Sequence, residues 1–330
     1  MLLKAQEAND PGAYLNSIGI QFNEMSKDMM SYMSAASHGK SARKVDKKRQ
    51  ELISTIKEAE RTVRKMRPFK GDHQLRDSVA AYLKLSHLVL LEDFGKIVDL
   101  EEIAEQSYDA MEAYLLAKER ANDKMDLSYD RVKEQHDLFA KQYNIKIIEN
   151  ESTLSKKLET SGKVYSYYNQ VYLVFFKSYK DEAYLMSAYE KADVNAMEQT
   201  KNALAASSAE GMKKLVQIGL HNYDATLKNS CQQLLAFYQQ EASSKVPDQI
   251  DFFLKKENFE KIKKAFDAKR QNDRTQEDVN RYNQAGKDYN TAVNKFNAIN
   301  TDLNKKRGDL ISQWNKTVDA FLSKHVPKYR

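Results

Sequence analysis

The sequence predicts an all-α protein: an elongated helical bundle built from two related antiparallel four-helix units with long final helices. Three observations lead there. Glycine and proline are scarce over 330 residues, with 10 and 4 respectively, so tight turns are few. Apolar residues recur at steps of three and four through most of the chain, the spacing of one helix face. Two stretches of the first half also recur in the second at nearly one offset.

Tyr14, Ile18, Phe22, Met25, Met29, Tyr32 and Ala36 share one face of a helix predicted over Pro11 to Ser37, with Gly39 as its stop. A second helix buries Val45, Leu52, Ile56, Ala59, Val63 and Met66, and Pro68 ends it. Asp72 is placed to cap a third, which carries Leu75, Val79, Leu83 and Leu90 as far as Gly95. The fourth runs from Leu100 to Tyr143. Residues 144–161, with a β-branched piece at Ile145 to Ile148, break the pattern and read as the connection between halves. A tyrosine-rich helix is expected after Gly162. Others follow at Asp193 to Gly219, Asp224 to Ser244 and Gln249 to Arg270, with a turn at Pro247. From Thr275 to His325 the pattern is unbroken, a rod of roughly 75 Å at ~1.5 Å per residue. Tyr282, Tyr289, Phe296, Leu303 and Leu310 recur in it every seventh position, the mark of a coiled-coil strand.

The repeat sets Tyr14, Asn16 and Phe22 against Tyr167, Asn169 and Phe175, and Asp72 and Leu75 against Asp224 and Leu227. Asp72 and Asp224 are therefore expected to be equivalent caps, and Leu75 and Leu227 equivalent core positions. This gives a tether at 1–12, a first helical unit at 13–143, and a second at 162–330 with an extra helical insertion near 249–270.

Chemistry is harder to find. The chain shows no glycine-rich phosphate loop, His-Glu-x-x-His or Gly-x-Ser-x-Gly. His38, His73, His87, His136, His221 and His325 are scattered without metal-ligand spacing, and Cys231, the sole cysteine, sits on a buried stripe as an inert thiol. No catalytic, cofactor or metal residues are assigned, and no cofactor is expected. A net charge of +6 suits solubility more than a polyanionic ligand, so no nucleic-acid partner is expected. No uncharged apolar run reaches the roughly 18 residues of a membrane span.

Two features are candidate interaction surfaces. The basic run containing Lys44, Lys47 and Lys48 opens the second helix, either as a solvated face or as a contact for an anionic surface. Tyr165, Tyr168, Tyr172, Phe176 and Tyr179 cover more than one face of their helix, either buried between the halves or exposed to a protein or glycan. Arg307-Gly308-Asp309 spells an adhesion tripeptide, but inside a helix it lacks the extended presentation that recognition requires.

Asp10-Pro11-Gly12-Ala13-Tyr14-Leu15-Asn16-Ser17-Ile18, Met66-Arg67-Pro68-Phe69-Lys70-Gly71-Asp72 with Leu75-Arg76-Asp77, and Phe139-Ala140-Lys141-Gln142-Tyr143-Asn144 resemble a known family. It comprises exported surface lipoproteins of Bacteroidota and spirochaetes, called ErpY-like in leptospires. The likeness covers chiefly the first half. It implies an exported protein of the cell envelope or surface, with residues 4–12 as the remains of a lipid tether; the lipid-bearing cysteine is absent from this chain. The expected function is non-enzymatic: binding another protein or a cell-surface component, or supporting an assembly, through helical faces. A membrane-active helical protein, or a carrier or enzyme with a pocket between the halves, are the alternatives.

Overall fold

The computed structural model describes residues 10–95, 107–147 and 153–329. Among these, nine α-helices form and no strand does. They are α1 (Pro11–Ser37), α2 (Ala42–Lys65), α3 (Gln74–Gly95), α4 (Tyr108–Gln142), α5 (Thr153–Glu190), α6 (Val194–Gln217), α7 (Thr226–Gln240), α8 (Val246–Ala268) and α9 (Gln276–His325). The chain divides into two compact units, Met1–Ser166 with Asp319–Arg330, and Tyr167–Val318.

In the first unit α1 to α4 pack in sequence order, each joined to the next it touches by a short connection where the chain is described. Asp10 caps α1 by accepting from the Gly12 amide, and Pro11 needs no partner at the first helical position. Residues 11 and 12 are therefore helix and not tether, and residues 1–9 lie outside the described residues. The core joins Ile18 and Met25 of α1, Leu52, Ile56 and Val63 of α2, Leu75, Val79 and Leu83 of α3, and Val132 and Phe139 of α4. At one end Tyr14, Phe69, Phe139 and Tyr143 pack ring to ring with centroids 4.6–5.5 Å apart. The Tyr329 amide donates to Ser34 Oγ at 3.1 Å, which ties the end of the chain to α1.

Ile145 makes no strand. Asn144 takes φ 55° and the Ile145 amide donates to Ala140 O at 2.8 Å, so these residues close α4 with a left-handed cap. The predicted start of α4 at Leu100 lies outside the described residues, as does Ile148. Helix α5 begins at Thr153, ahead of the expected start, and Gly162 sits inside it. One glycine costs a helix only about 1 kcal/mol, less than the packing around it supplies. Val164 and Ser161, on either side, are fully buried.

In the second unit α5, α6 and α7 enclose Val171, Phe176, Leu185, Met197, Leu204, Leu227, Cys231 and Leu234. Gly211 lets α6 approach closely: a Cβ there would lie 3.0 Å from Leu235 Cδ1 and 3.1 Å from Val174 Cγ1. The expected turn at Pro247 is not formed. Instead α7 passes through a π-helical turn, Glu241–Lys245, directly into α8. Proline cannot donate to the carbonyl one turn back and crowds it, and the wider turn accommodates both defects. The extra helical segment near 249–270 is α8, which continues α7 through the π-turn instead of starting after a turn.

The local geometry recurs between units. Helices α2 and α6 both span 24 residues. Asp72 Oδ1 accepts from the Gln74 amide at 2.9 Å, and Asp224 Oδ1 accepts from the Thr226 amide at 2.9 Å. Leu75 and Leu227 follow as buried residues, 2% and 0% exposed.

Candidate functional site

Helix α8 and the first part of α9 form a hairpin held by aromatic rungs. Phe252, Phe259 and Phe266 recur every seven residues on α8, as Tyr282, Tyr289 and Phe296 do on α9. Phe252 stacks on Phe296 at 4.3 Å, Phe259 on Tyr289 at 5.2 Å and Phe266 on Tyr282 at 4.6 Å. The pairing runs antiparallel, with buried Ala285 and Ala292 between the rungs on α9. At the tip Arg274 lies over the Phe266 ring at 4.2 Å. Lys269 Nζ and the Thr275 amide both donate to Asp278, which pulls its carboxyl down to about 2.

The outer face of α9 is unusual in composition. Asn283, Asn290, Asn294, Asn297 and Asn304 are all exposed along one side. A groove of about 520 Å³ opens there, lined by Phe259, Tyr282, Asn283, Gly286, Asn290 and Asn294. Such a surface offers amide donors and acceptors beside ring edges, without fixed charge except Lys287. The second half of the heptad stripe, Leu303 with Trp314, is buried, and Trp314 packs on Phe175 at 4.7 Å.

At the root of the hairpin three charged side chains meet. Arg307 of α9 donates through Nη2 to Glu241 Oε1 at 2.6 Å and through Nε to Glu182 of α5. Glu241 and Glu182 are 0% and 3% exposed. One guanidinium faces two carboxyls, and the balance is settled by protonation. Burial, then the neighbouring Glu182 charge, push the Glu241 carboxyl up to about 8, against the opposing pull of Arg307. The direction of that shift favours the protonated form of Glu241 at neutral pH. Alongside, Tyr189 donates to Gln249 Oε1 at 2.7 Å and Gln249 donates to Asn300 Oδ1 at 2.5 Å, again joining α5, α8 and α9. The arrangement binds three helices and stores a proton. It also turns the Arg307 guanidinium inward, away from the surface on which an adhesion tripeptide would have to present it.

The residues singled out from sequence are dispersed. Lys44 and Lys47 are exposed and Lys48 half-buried. Lys48 is bonded to Glu51 at 2.7 Å and Arg49 to Asp46 at 2.8 Å, so two carboxylates of the same helix offset part of the run's charge. Tyr165 is half-buried and its hydroxyl bonds Ser37 at 2.6 Å in the first unit. Tyr168, Tyr172, Phe176 and Tyr179 belong to the second unit. Phe176, at 2% exposure, is a core residue and cannot be an interaction surface; Tyr172 stacks on it at 5.5 Å and is itself half-buried. Only Tyr179 is exposed, at 40%. Aromatic residues on several faces of α5 signal burial because that helix is packed on more than one side. Cys231 is fully buried, and burial pushes its thiol up to about 12. Among the described residues no group of three or more His, Cys, Asp or Glu is placed to hold a metal, and no helix is long and apolar enough to cross a membrane.

Sequence reasoning missed Phe252, Phe259 and Phe266 as partners of the heptad, although their own seven-residue spacing was visible. It also missed the charge cluster, for which the available signal was charged residues falling on otherwise apolar helix faces. No family model, curated protein or solved structure matches the chain.

Proposed function

We propose that this is a non-enzymatic binding protein of the cell envelope or surface, which engages a partner protein or cell-surface component through helical faces. The α8–α9 hairpin is the foremost of these faces. What supports the reading is the way the hairpin is built. Its stabilising contacts lie between its own two helices, ring on ring, so its asparagine-lined outer face is left to solvent along the length of the rod. A face rich in amides, with Lys287 as the one charge in its groove, suits recognition of another polar surface at low ordering cost when carried on a rigid helix. The location rests on the resemblance carried by residues 10–18, 66–77 and 139–144.

The test uses the full-length protein in its own cells. Fractionation, mass spectrometry of the N-terminus and protease shaving of intact cells report location, and a photo-crosslinking residue at position 290 reports contacts. Envelope localisation with a discrete crosslinked partner supports the proposal. A cytoplasmic protein whose position 290 crosslinks to nothing defeats it.

A further inference from the structure

Two loops in this chain share one backbone and differ in what they display. In the first unit Phe69 and Asp72 exchange backbone hydrogen bonds at 2.9 Å, with Lys70 at φ 50° and Gly71 at φ 87° between them. In the second, the Asp224 amide donates to His221 O at 2.9 Å, with Asn222 at φ 48° and Tyr223 at φ 59° between them. Each loop is further pinned by a cation from the following helix, Arg76 to Met66 O at 3.2 Å and Lys228 to Ile218 O at 2.5 Å. Where one copy uses glycine in the left-handed region the other uses tyrosine, which is strained there.

The strain comes with exposure. Tyr223 is 96% exposed, Val216 83% and Leu220 47%. The corresponding positions of the first loop are Gly71, Arg64 and Pro68, and its Arg67 and Lys70 become Gly219 and Asn222. From Leu215 to Tyr223 the second loop therefore carries no Lys, Arg, Asp or Glu. A large side chain held out to water forgoes the gain of burial while its backbone conformation costs stability, and such outliers persist where function requires them.

We propose that the Ile218–Asp224 loop is a docking prong, with Tyr223 as its tip and Val216 and Leu220 as its shoulders, for a partner protein bearing an uncharged apolar pocket that accepts a phenol ring. This rests on the reading of the chain as a binding protein and adds a second, separate contact to it. The occupant follows from the loop's construction. Three backbone and side-chain ties fix it before binding, which suits a preformed pocket in which tyrosine acts as an anchor. A fluid anionic bilayer would be met by outward cations, and where the sister loop has Arg67 and Lys70 this loop has Gly219 and Asn222 while Lys228 is turned to the Ile218 carbonyl. A second copy would bring convex tip against convex tip and could not enclose either ring.

The experiment places a photo-crosslinking phenylalanine at 223, at 71 and at 290 of the full chain in its native cells, and identifies the adducts by mass spectrometry. The 223 probe is expected to give one protein that the 71 probe does not. That protein, purified, should bind Tyr223→Gly and Leu220→Lys at least tenfold more weakly than the wild type. Tyr223→Gly should meanwhile be the more resistant to unfolding, its unfolding constant falling by about tenfold with the relief of strain. Loss of binding in a stabilised variant cannot come from misfolding. Lipid adducts, self-adducts or no discrete adduct from 223, or unchanged affinity in both variants, overturn the prong. If the 290 probe still captures a partner in that case, the general proposal stands and only the prong falls; if neither probe does, both fall.

Discussion

Arg307 is held by two carboxyls that water does not reach, and the consequences of removing it differ sharply from those of removing one of them. Arg307→Met leaves Glu182 without its cation in the core, and loss of one partner of a buried pair costs roughly 3–5 kcal/mol. Urea unfolding should show that loss as a lower midpoint. Glu241→Gln preserves shape and a donor at the site where the carboxyl is already protonated, so its cost should stay within about 1 kcal/mol. The same proton makes stability depend on pH with a definite sign. Glu241 binds its proton more tightly folded than unfolded, so its contribution is fully present below the ordinary carboxyl value of 4.5, and is lost as pH rises towards about 8. Above that the contribution is gone. The wild-type midpoint should therefore fall relative to that of Glu241→Gln as pH is raised from about 5 to about 9. Two parallel pH profiles would show that Glu241 does not carry the proton.

At the scale of elements, the π-turn carries α7 into α8 past Pro247. It holds one residue more per turn than an α-helix, and the Val246 amide bonds back to Glu241 O across it. Deleting Ser243, which is exposed, would restore an α path and leave α8 at nearly its present rotation relative to α7, because the wider turn absorbs one extra residue. Phe252, Phe259 and Phe266 would keep their direction, but Pro247 would meet a carbonyl it cannot satisfy in a regular helix. A loss of about 3 kcal/mol or more is expected from thermal or urea unfolding, whereas Ser243→Ala should change stability by no more than about 0.5 kcal/mol. Equal stability of the two variants would mean that the turn has no role in accommodating Pro247. This element also marks where the sequence stops being informative. The span of α1 and the unbroken α9 follow from periodicity and from the residues that stop helices. Whether Pro247 breaks a helix or is absorbed by a wider turn depends on the packing of Ala242, Val246 and Ile250 in the core, which periodicity does not encode. The charge cluster was hidden for a related reason: Glu182, Glu241 and Arg307 are far apart in sequence, and a charged residue on an apolar face does not by itself name its partners.

For the molecule as a whole, the recurrence of one loop and cap in both units offers a controlled comparison within a single chain. Asp72 and Asp224 make the same bond to the second residue after them, at 2.9 Å in each case. They differ in setting. Asp224 is buried at 8% exposure and also accepts from the Thr226 hydroxyl at 2.6 Å, while Asp72 is half-buried and has Gln74 in place of threonine. Replacing a capping Asp by Ala costs about 1 kcal/mol, and the additional bond and burial should carry Asp224→Ala toward 2 kcal/mol while Asp72→Ala stays near or below 1. Hydrogen exchange can locate each loss: Asp72→Ala should speed exchange at the start of α3 and leave α7 unchanged, and Asp224→Ala should do the reverse. The repeat was readable because caps and core leucines are local, and each can be recognised from a few neighbouring residues. Tyr223 was not, since only the comparison of two backbones at φ 59° and φ 87° shows that a tyrosine stands where its sister loop needs glycine. If both cap variants lose equal stability, the extra bond at Asp224 is offset by its burial. In that event the loop before α7 owes its rigidity to Lys228 and the His221–Asp224 pairing instead, which Lys228→Met would expose as faster exchange at Asp224.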